Sequence, residues 1–135
     1  MRTTALPLRK TEEIDVVVEK AAREPNGGLV VLSSVLTFTH RERLTARALQ
    51  SAIPAIYGFR EYVTTGGLVS YGTDVTKGYR LATAYIDRIL KGTKLADLPV
   101  QQPTNYEMAI NLTTARALGL TVPPNLLAMA DTVIE

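Results

Sequence analysis

The sequence predicts an α/β domain: a three-layer, mostly parallel sheet with helices on both faces. Three observations predict it. Short continuous apolar runs, Leu29-Val30-Val31-Leu32 and Ala55-Ile56-Tyr57, lie between glycine, proline or serine residues, as strands buried inside a parallel sheet do. Amphipathic stretches of helical period separate these runs, the alternation that a parallel sheet with crossover helices requires. The 135 residues, 46% hydrophobic and 21% charged, suit one core, so residues 1–135 are read as a single domain.

Taken in order, Leu6-Pro7-Leu8 reads as a short strand that proline confines to an edge. Thr11 reads as an N-cap, with Glu12, Glu13 and Asp15 in the first turn where carboxylates complement the helix dipole. Ile14, Val17, Val18, Ala21 and Ala22 share one helical face, and Pro25-Asn26-Gly27-Gly28 ends that helix. A strand covered on both faces follows near 29–33. A helix from about Thr39 to Ser51 turns Leu44, Ala48, Leu49 and Ala52 inward. The second strand falls near 54–57, and Phe59 to Thr65 is a short helix stopped by Gly66-Gly67.

The third strand is Leu68-Val69-Ser70-Tyr71. Asp74 caps the longest helix, which runs to about Lys91 before Gly92 and buries a stripe of Val75, Tyr79, Ala82, Ile86, Ile89 and Leu90. Asp97 to Asn105 is a connector. Tyr106, Met108, Ile110 and Leu112 alternate as a strand, Thr113 caps a short helix ending at Gly119, and Pro124 opens a last helix.

Composition excludes several classes. Fifteen basic residues against 13 acidic ones give a net charge of +2, with the signs interspersed and no basic cluster longer than Arg9-Lys10, so no nucleic-acid partner is expected. The absence of cysteine removes disulfides, thiolate metal sites and cysteine nucleophiles. No cofactor, metal or catalytic residue is expected. His40, the only histidine, reads as an exposed residue at a polar helix start. Ser70 follows Leu68 where a nucleophile elbow needs glycine, and neither glycine-rich nucleotide fingerprint occurs. Met1 to Lys10 lacks the apolar core of a signal peptide.

Polar groups gather instead at the C-terminal ends of three predicted parallel strands, where open α/β sheets bind ligands. These are Ser33 and Ser34, then Tyr57-Gly58 with Arg60 and Glu61, then Tyr71-Gly72-Thr73-Asp74. Hydroxyls donate to a carboxylate, glycine admits close approach, tyrosine offers a stacking face and Asp74 offers a partner for an ammonium. Each also has a purely structural reading: Asp74 as an N-cap, Arg60 and Glu61 as a surface pair, and Tyr57 and Tyr71 as core residues.

The run from Pro54 to Tyr62, Gly66-Gly67-Leu68-Val69-Ser70-Tyr71-Gly72, Ile89-Leu90-Lys91-Gly92-Thr93-Lys94, Ala96 to Thr104, and Ile110 to Leu120 occur in one order over about a hundred residues. In that order and spacing the chain resembles the C-terminal part of the periplasmic substrate-binding proteins of ABC transporters, in the branch with tryptophan- and tyrosine-type importers. Where the family pattern has proline or aspartate after the first strand, this chain has Ser33-Ser34-Val35-Leu36. The resemblance implies one incomplete lobe of a type I periplasmic-binding-protein-like fold. It also implies binding of a small amino-acid-like or carboxylate solute without turnover, delivery to an ABC permease, and a periplasmic location. With no signal peptide, a cytoplasmic location is expected if the chain is a complete gene product. Its ligand-binding residues would be Ser34, Tyr57, Gly58, Arg60, Tyr71, Gly72, Thr73 and Asp74. A single lobe leaves a strand edge and apolar surface open, so a homodimer is expected. Two other functions fit the same architecture: an effector-binding lobe of the lac-repressor kind, and a small α/β enzyme.

Overall fold

In a computed structural model, which describes residues 2–102 and 105–135, five strands form one sheet in the order β1-β2-β3-β4-β5. They are β1 Leu29–Val31, β2 Ala55–Tyr57, β3 Val69–Thr73, β4 Tyr106–Asn111 and β5 Thr132–Ile134. The ladders β1–β2, β2–β3 and β4–β5 are parallel, with Val30 opposite Ile56, Ile56 opposite Val69 and Ile110 opposite Val133. The helices are α1 Ile14–Ala22, α2 Val35–Thr39, α3 Arg41–Gln50, α4 Arg60–Thr64, α5 Val75–Leu90, α6 Leu112–Ala117 and α7 Pro124–Ala128. The α/β class with a mostly parallel sheet is therefore as the sequence predicts. The chain divides into two compact units, one ending at Gly72 and resuming at Glu107, the other Thr73–Tyr106.

The core of the first unit lies between one sheet face and helices α1, α3 and α4. Ile14 and Val18 of α1, Leu44 and Ala48 of α3, Ala55 and Tyr57 of β2 and Tyr62 of α4 form one buried cluster. The neighbouring row turns the other way. Val30 is 72% exposed, which corrects the expectation that β1 is covered on both faces: it is the edge strand of the sheet, and its middle side chain points away from the core. Leu49 also departs, being partly exposed while Leu44 and Ala48 are buried.

Local chemistry moves several boundaries. No strand forms at residues 6–8, where proline has no N–H to give a ladder; Leu8 packs against the core instead. Thr11 is not a cap. It opens a 3-10 turn, Thr11–Glu13, and its hydroxyl meets His40 Nε2 at 2.9 Å, so that histidine is half-buried and partnered. The carboxylate of Glu13 takes the capping role by accepting the N–H groups of Arg9 and Lys10, and those bonds hold its pKa below the usual range. The predicted helix from Thr39 to Ser51 is α3, Arg41–Gln50, and a short helix that the sequence reading did not predict, α2, precedes it across His40. Asn111, not Thr113, caps α6: its Oδ1 accepts the N–H of Thr114 at 2.9 Å, and its Nδ2 donates to the Val63 carbonyl at 3.3 Å. Strand β5 was not foreseen; its three residues carry too little pattern to show in the sequence.

In the second unit α5 has the predicted bounds, with Gly92 at positive φ just beyond it. Its apolar stripe, however, is not buried: no residue of α5 is buried, and Tyr79 is 73% and Leu90 82% exposed. A single helix followed by a short 3-10 turn, Leu95–Asp97, gives this unit no second layer against which to close that face. Of the predicted connector from Asp97 to Asn105, residues 103 and 104 lie outside the described residues.

Candidate functional site

The C-terminal ends of the first three strands meet through close backbone approach. A methyl group on Gly58 would overlap the Ser33 hydroxyl, and one on Gly72 would overlap the Gly58 carbonyl oxygen. Ser33, Gly58 and Gly72 thus stand side by side. At the third place only a residue without a Cβ fits, because its neighbour is backbone; at the second a Cβ would have to push the Ser33 hydroxyl aside.

Ser34 is exposed and caps α2; its Oγ accepts the Thr37 N–H at 3.2 Å while its own N–H donates to Thr37 Oγ1 at 2.9 Å. Tyr71 alternates with the buried Ser70 and is 54% exposed, presenting its ring to solvent. Arg60 is exposed at the start of α4, and among the described residues no salt bridge joins it to Glu61. Thr73 and Asp74 open the second unit. Asp74 is an N-cap, its Oδ1 accepting the N–H groups of Thr76 at 2.9 Å and Lys77 at 3.2 Å.

Tyr57 does not stand with these residues. It is 2% exposed and stacks on Tyr62 with ring centroids 4.8 Å apart. Burial, and then the neighbouring Tyr62, push its hydroxyl pKa far above the ordinary range. Its place on the covered face of β2 makes it a core residue, which corrects the expectation that its ring meets a solute.

The structure adds a cluster that the sequence reading did not single out. The Tyr62 hydroxyl donates to Thr37 Oγ1 at 3.1 Å, Phe38 packs edge-on against both Phe59 and Tyr62, and the Arg41 guanidinium lies 5.1 Å from the Phe38 ring centre. Burial raises the Tyr62 pKa, opposed by its bonds to Thr37 and Ser33. Through Thr37, which bonds Ser34, and through Tyr62, which bonds Ser33, this cluster is joined to the first strand end. The available signal was four aromatic residues, 38, 57, 59 and 62, next to two strand ends.

This surface offers hydroxyl donors, backbone approached at glycine and one exposed aromatic face. It suits a small polar solute with a flat or apolar part. The cavity inside the first unit, lined by Thr45, Ala48, Ile53, Tyr57 and Leu118 among others, holds about 10 Å³, at the limit of one water. Among the described residues no group of three or more histidine, aspartate or glutamate side chains stands close enough to hold a metal ion, and no helix is long and apolar enough to cross a membrane.

A family model described as ABC transporter substrate binding protein matches residues 2–134. No curated protein matches the chain in sequence. Among solved structures, a conserved domain protein from Vibrio cholerae O1 biovar El Tor is similar, at 25% identity and a TM-score of 0.82 over 92% of this chain and 42% of its own. An ABC domain in complex with L-Trp from Streptococcus pneumoniae has 27% identity and a TM-score of 0.81 over 92% of this chain and 43% of its own. A ligand-free, open substrate binding protein with adhesive properties from Clostridium difficile, 21% identical, shares the fold at a TM-score of 0.64 over 94% of this chain and 42% of its own. The chain thus spans about two-fifths of the length of the structures it matches.

Proposed function

The chain belongs to the ABC transporter substrate binding protein family, and on that premise we propose that it is a solute-binding lobe of an ABC-type importer. It takes a small amino-acid-like or carboxylate solute, holds it without turnover, and serves a permease in the periplasm. The wall is made by Ser34, Gly58, Arg60, Tyr71 and Gly72, continued in sequence by Thr73 and Asp74. The carrying observation is the contact of three strand ends at Ser33, Gly58 and Gly72, next to which in the chain Tyr71 is exposed. The L-Trp held by the similar Streptococcus domain supports an amino acid as the class of solute.

One wall leaves a bound solute half in water, so its charged groups stay screened and its apolar part half exposed. Affinity is then low. Titration calorimetry against L-tryptophan, L-tyrosine and a panel of other amino acids is expected to give dissociation constants of about 0.1 mM or weaker, roughly 5 kcal/mol or less. Submicromolar binding contradicts a one-walled site. No heat with any solute at millimolar protein contradicts the solute class.

A further inference from the structure

Fifteen residues of the chain are basic, and only Arg41 and Arg47 among them are half-buried; the others are exposed. The two have different surroundings. Arg47 meets the carboxylate of Glu19 directly and that of Asp15 at 3.9 Å. Arg41 has no such partner: among the described residues no salt bridge includes it. Its guanidinium lies over the Phe38 ring, and Nη1 donates to the Phe38 carbonyl at 3.2 Å. Its Nε is buried without a partner, and Nη2 has no acceptor among the described residues. A guanidinium that has lost part of its hydration is costly to keep without a counter-charge, and the ring face offsets only part of that cost.

Arg41 is also close to the strand ends. Phe38, on which it lies, packs edge-on against Phe59, the residue after Gly58, and against Tyr62, whose hydroxyl bonds Thr37 and Ser33. Burial raises the pKa of that hydroxyl, while its bonds to Thr37 and Ser33, and then the charge of Arg41, pull it down. The field of the guanidinium therefore reaches the Ser33 end of the wall. All of these residues belong to the first unit.

We propose that Arg41 binds the carboxylate of the solute, an inference that rests on the reading of the strand ends as a solute-binding wall. Charge-assisted bonds from a guanidinium to a carboxylate are among the strong polar contacts, and Phe38 already holds the fork of Arg41 in place. Arg60, the other arginine near these strand ends, is exposed, so a contact that it makes is screened by water and salt. The site then selects solutes with a free carboxylate over analogues in which that group is an amide.

Two-dimensional amide NMR of the full chain, titrated with L-tryptophan and L-tryptophanamide and with the matching L-tyrosine pair, reads this preference. The wild-type chain should bind at least one of the acids about 10-fold more tightly than its amide. Arg41→Gln should erase the preference by weakening the acid, and Arg41→Lys, which keeps the charge and loses the fork, should retain part of it. Arg43→Gln removes one charge from the same helix, at an arginine that Asp15 holds at 2.7 Å, and should leave the preference intact. A dispersed spectrum confirms that each variant is folded, and the lysine variant is read alone where the glutamine variant is not. Saturable binding at the strand ends with equal constants for acid and amide, or a preference that survives Arg41→Gln, overturns the role of Arg41 and leaves the wall standing. A preference lost equally in Arg43→Gln overturns it too, assigning the effect to the charge of the helix as a whole. No saturable shift at the strand ends with any of the four solutes overturns the wall, and the role of Arg41 with it.

Discussion

Gly72→Ala should destabilise the fold strongly, lowering its urea midpoint well below that of the wild-type chain. The added methyl would overlap the Gly58 carbonyl oxygen, and that neighbour is backbone, not the end of a movable side chain. The two strands cannot separate without cost, because the β2–β3 ladder fixes them just upstream, with Ile56 opposite Val69 and Tyr57 opposite Ser70. Relief requires shifting β3 against β2, which disturbs Ser70 and Tyr57 in the core. Overpacking of this kind costs about 3 kcal/mol or more, a large part of the roughly 5–15 kcal/mol by which a domain is stable. Gly78→Ala is the control: its methyl meets nothing within 4 Å, and in a helix interior alanine is favoured over glycine by about 0.5–1 kcal/mol. Urea denaturation followed by circular dichroism separates the two. A Gly72→Ala protein with a wild-type midpoint would show that the strand ends are looser than described.

Tyr62→Ala should produce the second large loss. Tyr62 is fully buried, stacks on Tyr57, receives the edge of Phe38 and donates its hydroxyl to Thr37. Truncation removes all three contacts and opens a cavity that its rigid neighbours fill poorly, a cost of about 3–5 kcal/mol. Tyr62→Phe keeps the ring and loses the hydroxyl's bonds to Thr37 and Ser33, about 1 kcal/mol. The difference between the two variants, measured in the same denaturation experiment, gives the share of the ring. Because Thr37 is bound to Ser34, the alanine variant should also loosen the first strand end, whereas a change confined to stability would mean that the cluster does not hold the wall.

Pattern alone was enough for elements whose signal is both periodic and bounded. α5 lies between Asp74 and Gly92, and β2 and α4 lie between Pro54 and Gly66, so apolar period and breaker agree at both ends. The misplaced boundaries share a different cause. At Thr11 and Thr113 the reading took the nearest hydroxyl as a cap, but Glu13 and Asn111 reach the free N–H groups with better geometry. β5 is three residues long and has meaning only beside β4. The burial errors at Val30 and along α5 arise because apolar character says that a surface needs a cover, not that this chain supplies one. The candidate site divides in the same way. Position along a strand end was visible, so Ser33, Gly58 and Gly72 come together, whereas the side of the sheet was not, so Tyr57 turned inward and Tyr71 outward. The supporting cluster of Phe38, Phe59 and Tyr62 depends on contacts between separate elements, which no single stretch of sequence displays.

The central claim is that the three strand ends form a solute-binding wall, and a titration followed by two-dimensional amide NMR tests it most directly. L-Tryptophan, L-tyrosine and other amino acids are added to the isotopically labelled chain to about 10 mM, enough to populate a site with a millimolar constant. At least one solute is predicted to move the amide signals of Ser34, Gly58, Tyr71 and Gly72 in a saturable manner, with Tyr71→Ala reducing the effect. Shifts that cluster elsewhere, or no saturable shift with any of these solutes while the spectrum stays that of a folded protein, would contradict it.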